Sequence, residues 1–546
     1  MVIKNTSILR STVALDLRGA KVLLVEDFME FRTTVKNMMN YFGVRDVDEA
    51  GNGDEAVRKM SLKQYDLVLC DYNLGQGKDG QQVLEEAKYR HYINHSTIYM
   101  MVTAENTIEM LMGALEYSPD EYLMKPFTRG TLEKKLRDLI DKKMSIRDVE
   151  AAIEGMDYEG ALSICDALIE KQPPHVAYLF KTKGEILLKL GRFEEADSFY
   201  ESIMTMGQLP WAMVGAGQAK YALGRYEEAK TLMTQLIVLN DKVMPAYDLL
   251  AKIMNKLDNP LEAQKILMTA IEISPKAIKR QKELGRLAYQ NQDLETAEKS
   301  MKAAVKQGKY SCFKDASDYT TLARVLINKN DGGAALALLT DAGKEFPNDK
   351  GASVQIAMTE AMVYTRLNRT EDAKKATDKA ISIATGRKGR ITADVELDVA
   401  REMILRGDAK EGKEMICRII QSHHEDRAIL DHARQLFKDL QMEDEGEMMM
   451  NSAIDEVDML NNDGVRLVRD GNLGKAISYF QKAAEKLPDN KIINANAAYA
   501  HLLFMQKNGK DPEHLLRTRT YLDKVRQVDG DYADLSKLQA IYKQMT

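Results

Sequence analysis

Four cysteines in 546 residues, at Cys70, Cys165, Cys312 and Cys417, are too few and too scattered for a disulfide framework or a metal-binding spacing. They suit a reducing compartment, and a cytoplasmic location is expected. No apolar run approaches the roughly 18–20 residues needed to span a bilayer. The first twenty residues carry Lys4, Arg10, Asp16 and Arg18 and no continuous apolar stretch, so a secretory leader is not expected. Charge of one sign is also lacking. Lys+Arg is 77 and Asp+Glu is 83, a net of 77 − 83 = −6. That balance gives no general pull toward nucleic acid or anionic lipid. Proline is scarce (11 residues) and aromatics make up 7%, while alanine, leucine, methionine, glutamate and lysine abound, which favours helix. What is present, 45% hydrophobic and 29% charged residues, is the make-up of a folded chain.

The first 145 residues alternate between short apolar runs and amphipathic segments. KVLLV (21–25), YDLVLC (65–70), IYMMVT (98–103) and EYLM (121–124) read as strands, and each closes on polar residues. Strands alternating with helices predict a parallel sheet covered on both faces, with ligands at the carboxyl ends of the strands. After about residue 150 the pattern is helical throughout and repeats itself. GRFEEADSFY (191–200), GRYEEAKTLM (224–233) and GNLGKAISYF (471–480) share one register. A small residue anchors each unit: Ala161, Ala196, Ala229, Ala263, Ala297, Ala335, Ala373, Gly412 and Ala476. The last gap, 64 residues, has room for one degraded unit near 430–450. Glycines 12 residues before an anchor (Gly184, Gly217, Gly285, Gly464) and prolines 12 after (Pro173, Pro275, Pro347, Pro488) fit paired helices that pack closely and then stop. A period near 34 with two helices per unit resembles the tetratricopeptide repeat. The resemblance implies an all-α superhelix of nine or ten helix pairs over 145–546, with capping helices at its C-terminal end, and an inner face that binds protein or peptide. Thr131–Met156 holds no proline and no glycine before Gly155, so the last helix of the first domain is expected to run into the first repeat or to pack on it.

Four motifs fall at four strand ends: VLLVEDF (22–28), LVLCDYNL (67–74), VTAEN (102–106) and YLMKPF (122–127). Together they resemble the receiver domain of two-component response regulators, over residues 20–144, behind an N-terminal extension at 1–19. The implied fold is a doubly wound, flavodoxin-like sheet of five parallel strands. The resemblance makes Asp71 the acceptor of a phosphoryl group from a sensor histidine kinase or phosphotransfer protein. It implies Mg²⁺ held by Asp27, Asp71 and the backbone carbonyl of Asn73, with Glu26 acting through a water. Carboxylates crowded beside an acceptor need a cation between them, and Mg²⁺ suits oxygen ligands. Lys125 would pair with the acceptor, Thr103 would bond the phosphoryl group, and Tyr122 would turn inward as a switch. Pro126 would follow a cis bond. Glu26 stands where Asp is commoner, and the loop DYNLGQGKDG lacks the usual Met-Pro and is one residue longer. Asn73 and Glu105 match the bacterial chemotaxis receiver, which implies a short-lived phosphoryl state. Ile108, Leu111, Met112 and Leu115 read as core, or as the helix face through which receivers form homodimers.

On the inner face of the repeats, Lys252, Lys279, Lys282, Arg286 and Arg324, with Lys256 beside them, form a basic ladder suited to an acidic protein segment. His91 and His95, His423-His424, Met448–Met450 and Trp211 read as structural. No phosphate-cradling glycine loop, nucleophile elbow, zinc-protease motif or helix-turn-helix is visible, so no catalytic output domain is expected. The reading is a response regulator whose output is protein binding. Its rivals are a gene regulator that binds nucleic acid through the basic ladder, and a constitutive scaffold.

Overall fold

The computed structural model describes residues 15–94, 96–104, 119–171, 173, 175–385, 391–529, 532 and 534–545. The chain divides into two compact units, Met1–Lys329 and Asn330–Thr546.

The first unit opens with five parallel strands: β1 (Lys21–Val25), β2 (Asp46–Ala50), β3 (Leu67–Asp71), β4 (Ile98–Thr103) and β5 (Glu121–Met124). Their order in the sheet is β2-β1-β3-β4-β5. β1, β3 and β4 lie inside the sheet, and almost every residue in them is buried, which is why they read as apolar runs. Alternate residues feed two cores. Val22, Leu24, Leu67, Leu69 and Met100 face one side, and Leu23, Val25, Val68, Cys70 and Met101 the other. β2 reads DVDEA and carries no apolar run. It is an edge strand, and its acids are held by neighbouring bases. Lys63 lies 2.6 Å from Asp46 and 2.7 Å from Asp48, and Arg32 lies 2.9 Å from Glu49. Helices α1 (Met29–Tyr41), α2 (Gly53–Leu62) and α3 (Gly80–Tyr89) pack around the sheet. The α3 N-terminus is closed by a reciprocal cap between Asp79 and Gln82. Leu15 and Leu17, expected to belong to an extension, are buried in the first core, and the Leu17 amide bonds the Phe42 carbonyl at 2.8 Å.

Helix α4 runs unbroken from Arg129 to Glu154 and crosses the expected boundary at residue 144. At about 1.5 Å per residue it is roughly 39 Å long. Leu132, Leu136, Leu139 and Ile140 complete the core of the sheet domain, whereas Ile146 and Val149 enter the core of the first helical pair with Ala161 and Cys165. Between these two stretches sits a buried charge chain. Lys143 Nζ is 3.1 Å from Asp120 and 3.8 Å from Glu150. Burial pushes the Glu150 carboxyl up to about 7, against the pull of Lys143.

The helical repeat is visible in the backbone. Met156, Gly191, Gly224, Asp258, Gln292, Asn330, Asn368, Gly407, Gln441 and Gly471 all have positive φ. Nine of them stand five residues before an anchor, where the first helix of a pair ends in a left-handed residue. The tenth, Gln441, marks the degraded unit. Its anchor is Gly446, buried, 34 residues after Gly412 and 30 before Ala476 (446 − 412 and 476 − 446). The second helix of that unit continues without a break into the first helix of the next, giving one 27-residue helix, Glu443–Arg469. The glycines 12 residues before an anchor have a steric reason. A Cβ on Gly184 would meet the Tyr200 ring at 2.4 Å, and one on Gly464 the Phe480 ring at 2.4 Å. In both cases the aromatic is 16 residues on, so a large side chain of the second helix fills the space a side chain of the first helix would need. Ala373 is the exception among the anchors, being only half-buried.

Two outcomes are expected. Gly184→Ala should lower stability by about 1–3 kcal/mol through overpacking, while Gln292→Gly should raise it by about 1 kcal/mol by relieving a left-handed non-glycine residue; calorimetric melting of the full chain checks both. A buried carboxyl with a raised pKa favours the fold while protonated. Its contribution falls as pH rises from about 4.5 to about 7. Glu150→Gln should therefore stabilise little at pH 5 and by about 2–3 kcal/mol at pH 8, read as the shift in urea midpoint between the two pH values.

Candidate functional site

The strand order reverses direction between β1 and β3, and the carboxyl ends of those two strands frame a crevice. Glu26 and Asp27 follow β1 directly, and Asp71 is the last residue of β3. One carboxylate oxygen from each of the three lies within 4.8 Å of the others. Glu26 and Asp71 are buried, while Asp27 is exposed at the mouth. Lys125, following β5, reaches across the sheet end. Its Nζ is 2.7 Å from Glu26 Oε2 and 2.9 Å from Asp71 Oδ2. Beneath the ammonium lies the Phe31 ring of α1, its centroid 4.2 Å away. The Glu26 carbonyl accepts a short bond from the Arg32 guanidinium, and the Glu26 amide donates to the Ala50 carbonyl. The Lys125–Pro126 bond is cis.

The electrostatics oppose one another. Burial raises the pKa of both Glu26 and Asp71, and the Lys125 ammonium offsets this only in part. Burial works against the Lys125 charge as well, but the two carboxylates outweigh it and hold its pKa above the ordinary value. One ammonium therefore faces two buried carboxylates and a third at the entrance. Such an all-oxygen cluster fits a divalent metal ion.

The loop after Asp71 owes its length to turns. Gly75 and Gly77 both have positive φ, and the Asn73 side chain accepts a bond from the Gly75 amide at 3.3 Å. Asn73 itself is exposed. A Cβ on Gly75 would sit 3.3 Å from Asp27 Oδ2. At Gly80 a Cβ would fall 2.1 Å from the Asp71 carbonyl oxygen, so only glycine lets α3 start so close to the acid. Thr103 is buried at the end of β4, and its carbonyl accepts from the Lys125 amide at 2.7 Å. The Tyr122 ring packs on the second core, and its hydroxyl is buried with no hydrogen-bond partner among the described residues. Glu105, the expected homodimer face (Ile108, Leu111, Met112, Leu115) and His95 lie outside the described residues. Phe31, Arg32 and Gly80 escaped the sequence reading; only the glycine opening α3 hinted at a close approach.

In the repeats, the basic ladder divides. Lys252, Lys256 and Lys279 line one cavity of about 630 Å³ together with Tyr221, Asn255 and Glu283. Lys282 does not join them. It is 2.6 Å from the buried Asp318. Arg286 turns to Glu283, three residues away, and Arg324 lies on a separate helix, Ala316–Asn328. Trp211 is structural, edge-on to Tyr200 at 6.3 Å.

These features define a parallel α/β domain with an acidic crevice, followed by paired helices. Comparison with known proteins agrees. The profile of the response regulator receiver domain matches residues 22–137, and that of the tetratricopeptide repeat matches 211–240. Chemotaxis protein CheY-3 of Vibrio cholerae is 30% identical over 125 residues, covering 23% of this chain and 95% of that protein. Chemotaxis protein CheY of Pseudomonas aeruginosa is 27% identical over 122 residues, 22% of this chain and 97% of that one. The solved C-terminal part of a TPR repeat-containing protein from Cytophaga hutchinsonii is 15% identical and covers 44% of this chain and 96% of its own, with a TM-score of 0.37. The chain belongs to the response regulator receiver family and carries tetratricopeptide repeats behind its receiver. Among the described residues no helix is long and apolar enough to cross a membrane.

Because both buried carboxyls have raised pKa values, the fold holds protons there that the unfolded chain releases. Stability is lost as pH rises above the ordinary carboxyl value near 4. Asp71→Asn removes one of the two, so it should raise the urea midpoint at neutral pH, less so at pH 4, and less again when Mg²⁺ is added to the wild type.

Proposed function

We propose that Asp71 accepts a phosphoryl group from a phosphohistidine donor, and that the repeats bind a protein partner according to the state of Asp71. The observation that carries this reading is the meeting of Asp71, Glu26 and Asp27 with Lys125 at the sheet switch point. In the transfer, a carboxylate oxygen of Asp71 attacks phosphorus, the N–P bond of the donor breaks, and the imidazole leaves with a proton. Charge gathers on the equatorial oxygens, and stabilisation is mainly electrostatic. Lys125 stands where it pairs with the acceptor before transfer and with a phosphoryl oxygen after it. Asp27, Asp71 and the Asn73 carbonyl would hold Mg²⁺, with Glu26 acting through water. The ion would supply the positive charge that lets three acids and a phosphoryl group share one crevice. Thr103, the last residue of β4, and Tyr122, within β5, take the switch roles; the buried Tyr122 hydroxyl supports this reading. Asn73 and Glu105 set a short phosphoryl lifetime. The output on this reading is protein binding by the repeats.

The cavity lined by Lys252, Lys256 and Lys279 supports an acidic protein segment over nucleic acid, because the basic side chains form one local pocket and not a continuous track: Lys282 and Arg286 are paired with Asp318 and Glu283. A cytoplasmic setting suits the four free thiols.

Intact mass of the full chain after acetyl phosphate and Mg²⁺ should show one added phosphoryl group, absent in Asp71→Ala. Lys125→Ala should slow its uptake by about 10²-fold. Capture from lysate should give different partners for phosphorylated wild type and Asp71→Ala, and the phosphorylation-dependent partner should be lost in Lys252→Glu/Lys256→Glu. Identical partners for both would leave a constitutive scaffold.

A further inference from the structure

The repeats touch the receiver beside Asp71. The segment from Pro275 to Phe313 belongs to the same compact unit as the receiver and meets it along α3 and the loop before it. Tyr72, the residue after Asp71, is buried. Its hydroxyl accepts a bond from Lys276 Nζ at 3.2 Å, and the same ammonium stands 5.2 Å from the Tyr72 ring centroid. Gln82 Nε2 donates to the Gln307 carbonyl at 3.1 Å. Ser311 Oγ donates to Glu85 Oε2 at 2.7 Å, both residues being buried. Tyr89, at the end of α3, packs edge-on to Phe313 at 5.1 Å. The contact thus runs the length of α3 and ends one residue from the acceptor.

Its repeat side is the back of the basic cavity. Lys279 lines that cavity and stacks its ammonium 3.9 Å from the Phe313 ring centroid. Lys282 bonds the Phe313 carbonyl. The residue that meets Tyr89 is therefore held by two lysines of the helix Ile278–Gln290, one of which faces the partner groove.

Tyr72 also fixes the loop. Its carbonyl accepts from the Gly80 amide at 2.8 Å, and its amide donates to the Val102 carbonyl at 2.8 Å. Asn73 is its neighbour. The residue that Lys276 holds is thus the one that joins the acceptor to Asn73.

We propose that Lys276 is a positioning residue for phosphoryl transfer at Asp71, so that the repeat array completes the receiver. Lys276 holds the Asp71–Gly80 loop through Tyr72, and the Ser311–Glu85 and Phe313–Tyr89 contacts hold α3 behind it. The inference rests on Asp71 being the acceptor. By thermodynamic reciprocity, whatever the array does to the two states of Asp71, the state of Asp71 does to the array.

Two measurements on the full chain test it. The first is independent of phosphorylation. In unmodified protein, Lys276→Ala combined with Ser311→Ala should speed amide hydrogen exchange in residues 72–90, while exchange in β1 and β4 stays as in wild type; unchanged exchange in 72–90 overturns the proposal. The second is the decay of the phosphoryl group after acetyl phosphate is removed, followed by intact mass. Lys276→Ala should alter the decay rate by about five-fold, the low end of typical coupling between sites, and Lys276→Arg should restore it. A decay rate equal to wild type in Lys276→Ala overturns the proposal. Failure of the wild type to take up phosphate would instead remove the assignment of Asp71, and the exchange measurement would still decide whether Lys276 positions the loop.

Discussion

One ammonium group between two buried carboxylates sets the character of this receiver. Lys125 bridges Glu26 and Asp71 from the far side of the sheet, and its reach depends on β5 lying two strands from β3. Removing a single partner from a buried ion pair leaves an uncompensated charge, which costs more than the pair contributes. The arrangement here is uncompensated by construction, with more carboxylates than cations. Added positive charge would relieve a site of this kind: a divalent ion would do so, and on the proposed reading a phosphoryl group arriving with that ion would replace one carboxylate charge by a larger one spread over three oxygens. On that reading the crevice would have two states of different electrostatic balance, and the polar ends of β1, β3, β4 and β5 would all feel the difference.

Much of this is legible in the sequence. β1, β3 and β4 are buried on both faces, so their sequences are apolar without a break, and the acids that end them stand out. The anchors of the repeats were legible because close helix packing admits only small side chains, and most of them are alanine. Three things were not. β2 is an edge strand whose half-exposed faces carry charge, so DVDEA has no strand signature of its own. The degraded repeat uses Gly446 as its anchor and shares a helix with its successor, which erases the turn that would separate the two units. The ladder of lysines and arginines was only partly legible, since Lys282 finds its partner 36 residues along the chain at Asp318, on a neighbouring helix (318 − 282). Sequence spacing along one helix shows which side chains share a face. It does not show which of them are already neutralised from across the groove.

The contacts between receiver and repeats were the least legible of all. Tyr72 and Lys276 are 204 residues apart, and neither has any local pattern that marks the other. Helix α4 is the opposite case: from Thr131 to Glu154 it holds no proline and no glycine, which marks a continuous connection. The receiver is thus tied to the helical pairs twice within one compact unit, covalently through α4 and non-covalently through α3. A receiver joined by a flexible linker leaves its two parts free to take any relative arrangement. Two attachments at separate points remove that freedom, so a change in the acceptor loop is resisted or transmitted rather than absorbed.

What such a change has to supply is a difference in free energy between two arrangements of the array, and no more than the site itself gains on phosphorylation. The geometry bears on how efficiently that difference is passed on. Phe313 is gripped by Lys279 and Lys282 on one side and meets Tyr89 on the other, so a shift of α3 is felt at a lysine of the groove across one aromatic ring. Packed rings and buried charge pairs shift between discrete positions instead of deforming smoothly. Loop, α3, Phe313 and Lys279 form a short chain of such contacts. An acidic partner in the groove, as proposed, would compete with the Phe313 ring for the Lys279 ammonium. On the proposed reading, partner binding and the state of Asp71 would draw on the same few contacts, and neither would alter them without cost to the other.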